Sequence, residues 1–301
     1  MRTIAFGSGS SGTGKTFIAT HLAACLARQG VRTCVVDLNL DASDLHLAFG
    51  LLDPKFRLLD FFDHRCESLE SAMIPVPNRP RLWLIPGSDE TVRANALRSE
   101  EIERLMTALR DLPVDLALLD LAPGIGQTLL DLFLAADLPL VVCNSEQDSL
   151  KDAARFVRLA RLRSGAHGPA GTRGKQRLKV YTNLDDLVRD MNAIREEQKG
   201  GSGRFRPSLV LNRGAEPTDQ QRRHWRRELD LDIPFLAAVP NAATRNPGSA
   251  TDQPPIDLDA NDQAAEALEV LAATLWAELA TAAQAGAEEE VALASVEPLL
   301  R

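Results

Sequence analysis

Gly9-Ser10-Ser11-Gly12-Thr13-Gly14-Lys15-Thr16 is a complete GxxxxGK[ST] phosphate loop, set between an apolar strand-like run, Thr3 to Phe6, and a helix-like run, Phe17 to Gln29. These flanks make the motif specific, because the loop needs a strand that delivers the chain to a helix N-terminus. Glycines let successive backbone N–H groups turn inward toward phosphate oxygens, and the following helix aims the positive end of its dipole at them. Lys15 is positioned to supply the point charge on the phosphates and Thr16 the hydroxyl on Mg²⁺. Ser11, Gly12, Thr13, Gly14 and Phe17 complete the expected phosphate-side contacts. The plainer alternative, a Gly/Ser turn that binds nothing, does not account for the flanks. The expectation is a chain that binds a nucleoside phosphate.

Outward from this loop, short apolar runs alternate with amphipathic ones, which predicts an α/β fold with a doubly wound, mostly parallel sheet flanked by helices. The expected strands are Thr3 to Phe6, Thr33 to Asp37, Leu82 to Ile85, Leu116 to Asp120, Leu138 to Cys143, Leu209 to Leu211 and Phe235 to Val239. Ile18, Leu22, Cys25 and Leu26 recur at helical spacing, and Gly30 is placed to end that helix. Further helices are expected from Ser99, read as an N-cap, to Leu109, and over Thr128 to Ala135, Ser149 to Arg161, Asp219 to Leu229 and Asp262 to Ala283. In such a fold the ligand site lies at the carboxyl ends of the strands.

Residues 1–284 read as a single domain. Residues 164–205 contain Gly165, Gly168, Gly171, Gly174 and Gly200-Gly201-Ser202-Gly203 around a helical stretch from Leu184 to Gln198, and read as a flexible insertion. Residues 285–301 carry Glu288-Glu289-Glu290 and read as an acidic tail, disordered or docking a partner. An amphipathic membrane anchor would need a basic polar face instead.

The chain has 301 residues, a formal net charge of −8 and 4 cysteines. Cys25, Cys34, Cys66 and Cys143 stand alone in apolar runs without CxxC spacing, which reads as small buried hydrophobes in a reducing compartment. The N-terminus is not a signal peptide and no apolar run approaches about eighteen residues. A soluble, cytoplasmic protein is expected. Charge is uneven: residues 151–227 hold 19 Lys+Arg against 8 Asp+Glu. A solvated surface is the plain reading. The functional one is a basic face for an acidic protein, anionic lipid or nucleic acid, centred on Arg222-Arg223-His224-Trp225-Arg226-Arg227. Trp225 reads as either an exposed contact or a buried helix face, Trp83 as core, and His46 as a structural hydrogen-bonder. His21, His64, His167 and His224 do not cluster with Cys or Asp as metal ligands would.

The phosphate loop, the segment Val36-Asp37-Leu38-Asn39-Leu40-Asp41-Ala42-Ser43-Asp44-Leu45-His46-Leu47 ending at Gly50, and Leu118-Leu119-Asp120-Leu121-Ala122-Pro123-Gly124 together resemble the MinD/ParA family of phosphate-loop ATPases. Leu130-Asp131-Leu132-Phe133-Leu134-Ala135-Ala136-Asp137 and the helix from Ser149 to Phe156 bring the resemblance nearest to the FlhG/FleN branch, regulators of flagellar number and placement. Leu209-Val210-Leu211-Asn212-Arg213 and Val239-Pro240-Asn241 are similar to the family's base-side strand end and loop. The resemblance implies ATP or ADP with Mg²⁺ as ligands. It assigns Lys15 to the phosphates, Thr16, Asp37 and Asp120 to the metal and its water shell, Asp120 also to catalysis, and Asn212, Arg213 and Pro240 to the base. Strand-terminal carboxylates suit a water-retaining Mg²⁺, and an Asn offers a purine edge both donor and acceptor. Strand-end capping is the simpler reading of Asp37 and Asp120.

Two positions depart from the family. Where the resemblance implies a signature lysine reaching across a sandwiched dimer, this chain has Ser10, and the glycine that follows is Ser11. Loss of a comparable cation in phosphoryl transfer costs on the order of a thousandfold or more. Where the family has a water-positioning switch aspartate, this chain has Asn39, which keeps the size and loses the basicity. Asp41 and Gln127 are the alternatives for that task. The implied protein binds nucleotide and hydrolyses it weakly or not at all. It acts as a MinD/ParA-type switch that organises flagellar placement, division or partition through protein partners or a nucleotide-dependent homodimer, or as a non-catalytic adaptor. Partition-type DNA binding rests on the basic stretch alone and is not favoured.

Overall fold

The computed structural model describes residues 1–40, 43, 45–51, 53–88, 97–166, 206–242 and 262–296. The chain runs β1 (Arg2–Gly7), α1 (Lys15–Arg28), β2 (Thr33–Leu38), α2 (Leu45–Ala48), α3 (Leu58–Phe62), a 3₁₀ turn (Leu69–Ala72), β3 (Ile74–Pro75), β4 (Leu82–Ile85), α4 (Ser99–Arg110), β5 (Leu116–Leu121), α5 (Gln127–Ala135), β6 (Leu138–Asn144), α6 (Gln147–Ala166), β7 (Ser208–Asn212), α7 (Asp219–Glu228), β8 (Phe235–Val239) and α8 (Gln263–Val296). The strands form one 8-stranded sheet in the order β3-β4-β2-β5-β1-β6-β7-β8. Every pairing is parallel except β3 with β4.

A parallel sheet crossed by helices is covered on both faces, so its strands must be apolar at every position rather than at alternate ones. β2, β5 and β6 are buried throughout. Alternation persists in a different sense, as the face to which each side chain is assigned. Ile4 and Phe6, Val35, Leu116 and Leu118, and Leu140 and Val142 pack in one core layer with Ile18 and Leu22 of α1 and Leu268, Leu271 and Leu275 of α8. The intervening Ala5, Cys34, Val36, Ala117, Leu119, Val141 and Cys143 pack in the other layer with Leu105 and Leu109 of α4, Phe133 of α5, Phe156 of α6 and Trp225 of α7. All four cysteines are free and buried. Burial pushes the Cys25 and Cys143 thiols up to about 12, so they behave as apolar filler.

The strands read from the sequence are all present, extended by a residue at some ends. β3 escaped because two residues, one of them Pro75, carry no alternation. α2 and α3 are too short for a 3.6-residue pattern to register. The N-cap of α4 is Arg98 rather than Ser99: the Arg98 backbone N–H donates to Glu101 Oε2 at 2.8 Å, which satisfies one of the helix's first amides from within its own first turn. α8 continues to Val296, past the Ala283 end read from the sequence and into the stretch read as a tail. Residues 167–205, most of the expected insertion and its Leu184 to Gln198 helix, lie outside the described residues. No helix among the described residues is long and apolar enough to cross a membrane.

β1 ends against the second layer. A Cβ at Gly7 would lie 2.6 Å from Phe156 Cζ and 2.8 Å from Phe133 Cδ2, and these two rings already meet edge-on with centroids 4.8 Å apart. Gly7→Ala is therefore expected to destabilise the fold by about 1–3 kcal/mol through overpacking. In a Phe156→Leu background the same substitution should cost measurably less, as read by urea denaturation of the four variants of the cycle.

Candidate functional site

The sheet order places β5 between β2 and β1, so three neighbouring strands release their carboxyl ends at one edge. In register, Asp37 of β2 sits beside Asp120 of β5, and Asp120 beside Phe6 of β1. The phosphate loop follows β1 there. Gly12 and Gly14 take φ of +73° and +88°, values that an L side chain resists. Gly14 is also the N-cap of α1, no side chain caps that helix, and its first turn holds no acidic residue. The free amides of a 14-residue helix thus face the loop with no protein acceptor supplied by a cap.

Within the loop, Lys15 is buried and its Nζ donates to Ser8 Oγ at 2.8 Å. Ser8 in turn donates to the Ser10 carbonyl at 2.7 Å. Burial lowers the Lys15 pKa below its ordinary value, and the negative charge of Asp120 works against that shift. Thr16 Oγ1 donates to Asp120 Oδ2 at 2.7 Å, while Asp120 Oδ1 is buried without a hydrogen-bond partner among the described residues. Asp37 Oδ1 accepts from the Asn39 backbone N–H at 3.0 Å and Oδ2 from Ser43 Oγ at 2.7 Å. Burial pushes Asp120 up to about 6 and Asp37 up to about 7, the latter with a smaller contribution from the neighbouring Asp120.

The base side is built from the next strands outward. Asn212 ends β7 and is buried, and its Nδ2 donates to the Thr13 carbonyl at 2.9 Å. A Cβ at Gly14 would stand 2.0 Å from that nitrogen, so only glycine lets the amide approach the loop. Arg213 follows in a left-handed conformation, φ +54°, with its side chain exposed. The Gly214 N–H to Val239 carbonyl bond, 3.2 Å, brings the start of the Pro240 loop alongside.

The residues singled out in the sequence therefore meet at one edge: the loop from Ser10 to Phe17, Asp37, Asn39, Asp120, Asn212, Arg213 and Pro240. Ser11 and Gly12 are exposed, and Phe17 stacks on His21 with ring centroids 4.2 Å apart. Gln127 opens α5 as an exposed residue, and Asp41 lies outside the described residues. Sequence reasoning missed Ser8, Ser43 and Gly87. Ser8 could have been noticed as a polar residue ending an apolar strand; Ser43 and Gly87 meet Asp37 only in three dimensions.

Trp225, one of whose readings was an exposed contact, is 7% exposed and belongs to the core beneath α7, because its position on the helix faces the sheet. The arginines beside it are partly committed: Arg222 pairs with Glu216 at 2.8 Å and lies over the Phe235 ring, and Arg226 pairs with Asp232 at 2.8 Å. His46, expected to be a structural hydrogen-bonder, has its Nδ1 buried without a hydrogen-bond partner among the described residues.

Chemically, an oxygen set made of a threonine hydroxyl and two buried strand-end carboxylates, one with a spare oxygen, fits a hard divalent cation such as Mg²⁺. Lys15 and the open N-terminus of α1 fit phosphate. A parallel sheet with this loop after its β1 strand defines a phosphate-loop nucleotide-binding protein. Residues 4–254 match the family model for the CobQ/CobB/MinD/ParA nucleotide binding domain, and the chain belongs to that family.

Relatives include an uncharacterized ATP-binding protein of Methanocaldococcus jannaschii, 30% identical over 52% of this chain and 58% of that protein. Another is the antiactivator FleN of Pseudomonas aeruginosa, 30% identical over 53% of this chain and 56% of FleN. The chain thus spans little more than half the length of these two relatives. The septum site-determining protein MinD of Pyrococcus horikoshii, solved in complex with Mg-ADP, superposes with a TM-score of 0.60 over 91% of this chain and 95% of that one. At 19% identity that likeness establishes the fold.

The carboxylate pair also fixes a pH dependence. Both folded-state pKa values lie above the ordinary 3.8, so between about pH 4 and 7 the folded, metal-free protein holds protons that the unfolded chain has released. These groups favour folding toward the acid end of that window and oppose it as pH rises through about 6 to 7. Asp120→Asn, which cannot ionise, should therefore gain thermal stability relative to the parent as pH is raised from about 5 to 8 without Mg²⁺. Melting curves across that range with EDTA present check the sign.

Proposed function

We propose that this chain is a Mg·ATP-binding switch protein of the MinD/ParA type that organises a cellular machine in space, with weak or absent ATP hydrolysis. What supports the reading is one juxtaposition: Lys15, Thr16, Asp37 and Asp120 converge beneath an uncapped helix while Ser10 and Asn39 occupy the two positions on which cleavage depends. Lys15 leaves Ser8 to hold the β- and γ-phosphates. Thr16 would ligate the metal, Asp120 would orient its water shell, and Asp37 would support it. Bound there, Mg²⁺ supplies charge neutralisation for the phosphate oxygens. Asn212, with Arg213 and Pro240, receives the adenine edge.

Ser10 offers no cation to a partner's phosphates, and Asn39 offers no base to a water. Binding therefore survives where turnover does not. Such a protein works by occupancy: the bound state orders the segments after Asp37 and Asp120 and presents them to a protein partner or a second copy. We place it in the cytoplasm. FleN and MinD among the relatives and neighbours support flagellar placement or division-site selection as the machine. The two degenerate positions also favour a second reading, a nucleotide-stabilised adaptor without catalysis.

Calorimetry with Mg·ATP should give a saturable heat that Lys15→Ala weakens at least about tenfold, since a direct phosphate contact is removed. Phosphate release by the parent should stay near background and rise about a hundredfold or more in the Ser10→Lys, Asn39→Asp double variant. Release at ordinary ATPase rates in the parent, abolished by Lys15→Ala, would overturn the weak-hydrolysis reading.

A further inference from the structure

We infer that Ser43 is a positioning residue for the carboxylate pair, holding Asp37 in place beside Asp120 and tying the segment that follows β2 to the metal position. The inference rests on the Mg·nucleotide reading of the site. Asp37 is 1% exposed, so its direction depends on the protein groups that donate to it. Among the described residues, its donors come from the chain just beyond it. The Asn39 backbone N–H takes Oδ1 at 3.0 Å, Ser43 Oγ takes Oδ2 at 2.7 Å, and the Leu45 backbone N–H adds a further hydrogen bond as α2 begins.

Ser43 is the side chain in this set, and it is held from behind. Gly87, on the loop that leaves β4, comes so near that a Cβ there would lie 2.6 Å from Ser43 Oγ and 3.0 Å from Ser43 Cβ. The same atom would stand 3.1 Å from the Asp37 carbonyl. The hydroxyl is thus wedged between the ends of β2 and β4, with its proton directed at the carboxylate. Among the described residues, the hydroxyl's hydrogen bond goes to Asp37, while Leu40 and Leu45 on either side are buried apolar side chains.

The consequence is a coupling. A carboxylate kept in one orientation by Ser43 would keep its remaining lone pairs available to a cation or its water shell beside Asp120. A carboxylate freed of Ser43 would keep only the backbone N–H donors of Asn39 and Leu45 among the described residues. Ser43 thereby links Asp37 to the stretch of chain that leads into α2, whose Leu47 is 47% exposed.

Two variants of the full chain break the contact independently: Ser43→Ala removes the hydroxyl, and Gly87→Ala keeps it but drives it off Asp37. Ser43→Thr keeps the donor. Binding of a fluorescent ADP analogue is titrated with Mg²⁺ and repeated in EDTA, and amide exchange across residues 38–47 is followed in the free protein. The expected result is that both Ala variants need about tenfold more Mg²⁺ for half-maximal binding, as loss of a charge-assisted hydrogen bond implies. Their affinity in EDTA should stay within about twofold of the parent, residues 38–47 should exchange faster, and Ser43→Thr should recover most of the Mg²⁺ response. An unchanged Mg²⁺ requirement in Ser43→Ala, or an equal loss of affinity with and without Mg²⁺, overturns the inference while leaving nucleotide binding intact. A parent protein that binds no nucleotide in either condition removes the Mg·nucleotide reading itself, and the inference with it.

Discussion

Asp37 and Asp120 end neighbouring parallel strands in register, and both are taken out of water there. Two buried carboxylates side by side are costly unless something positive or hydrogen-bonding answers them. The surrounding chain answers in part. Thr16 and Ser43 each give a hydroxyl, Asn39 gives a backbone N–H, and Lys15 brings a charge whose own burial it must offset. The answer is incomplete, since Asp120 Oδ1 has no donor among the described residues and both carboxyls titrate near neutrality. A site left short of positive charge by its own protein is one that favours a cation and the anion it travels with.

That electrostatic arrangement is possible because the sheet holds the strand ends still. Each central strand divides its side chains between two core layers, so neither face can shift without opening a void in a well-packed interior. The loop is fixed by close approach as well. Gly7 abuts Phe133 and Phe156, Gly9 lies where a Cβ would be 2.2 Å from the Asp152 carbonyl of α6, and Gly14 touches Asn212. These glycines do different work from Gly12, whose added Cβ would meet nothing and whose requirement is the positive φ alone. Packing and backbone conformation thus make the glycines of one short stretch necessary for separate reasons.

The fold was legible because its information is local. Apolar runs such as Leu138 to Cys143 and the spacing of Ile18, Leu22, Cys25 and Leu26 report the sheet and its first helix without reference to anything distant. β3, α2 and α3 were not legible, being shorter than the patterns that identify an element. Of the site, the loop and the two aspartates stand out since each follows an apolar strand. Ser43 and Gly87 do not, because their meaning comes from a contact between chain segments 44 residues apart in number, made only when β2 and β4 pair. Trp225 had two readings, and helix phase decides for burial over the surface role that its flanking arginines suggested.

Substitution at Ser10 changes what the loop can reach, and the structure shows how the remaining chain uses that position. The Ser10 carbonyl is turned to accept Ser8, and Ser8 is simultaneously the acceptor for Lys15, so a backbone group at residue 10 steadies the one cation of the loop. A lysine at the same place could keep that backbone contact, because the contact uses the carbonyl and not the side chain. The serine side chain is therefore not needed for this contact. It removes only a charge directed outward, toward whatever lies across the loop. Asn39 is similar in kind: its backbone N–H serves Asp37, a task any residue other than proline performs. At both positions a main-chain group makes a contact that holds the site. A change of side chain at either position leaves these main-chain contacts in place, which is the physical ground on which the proposed pairing of nucleotide binding with weak hydrolysis rests.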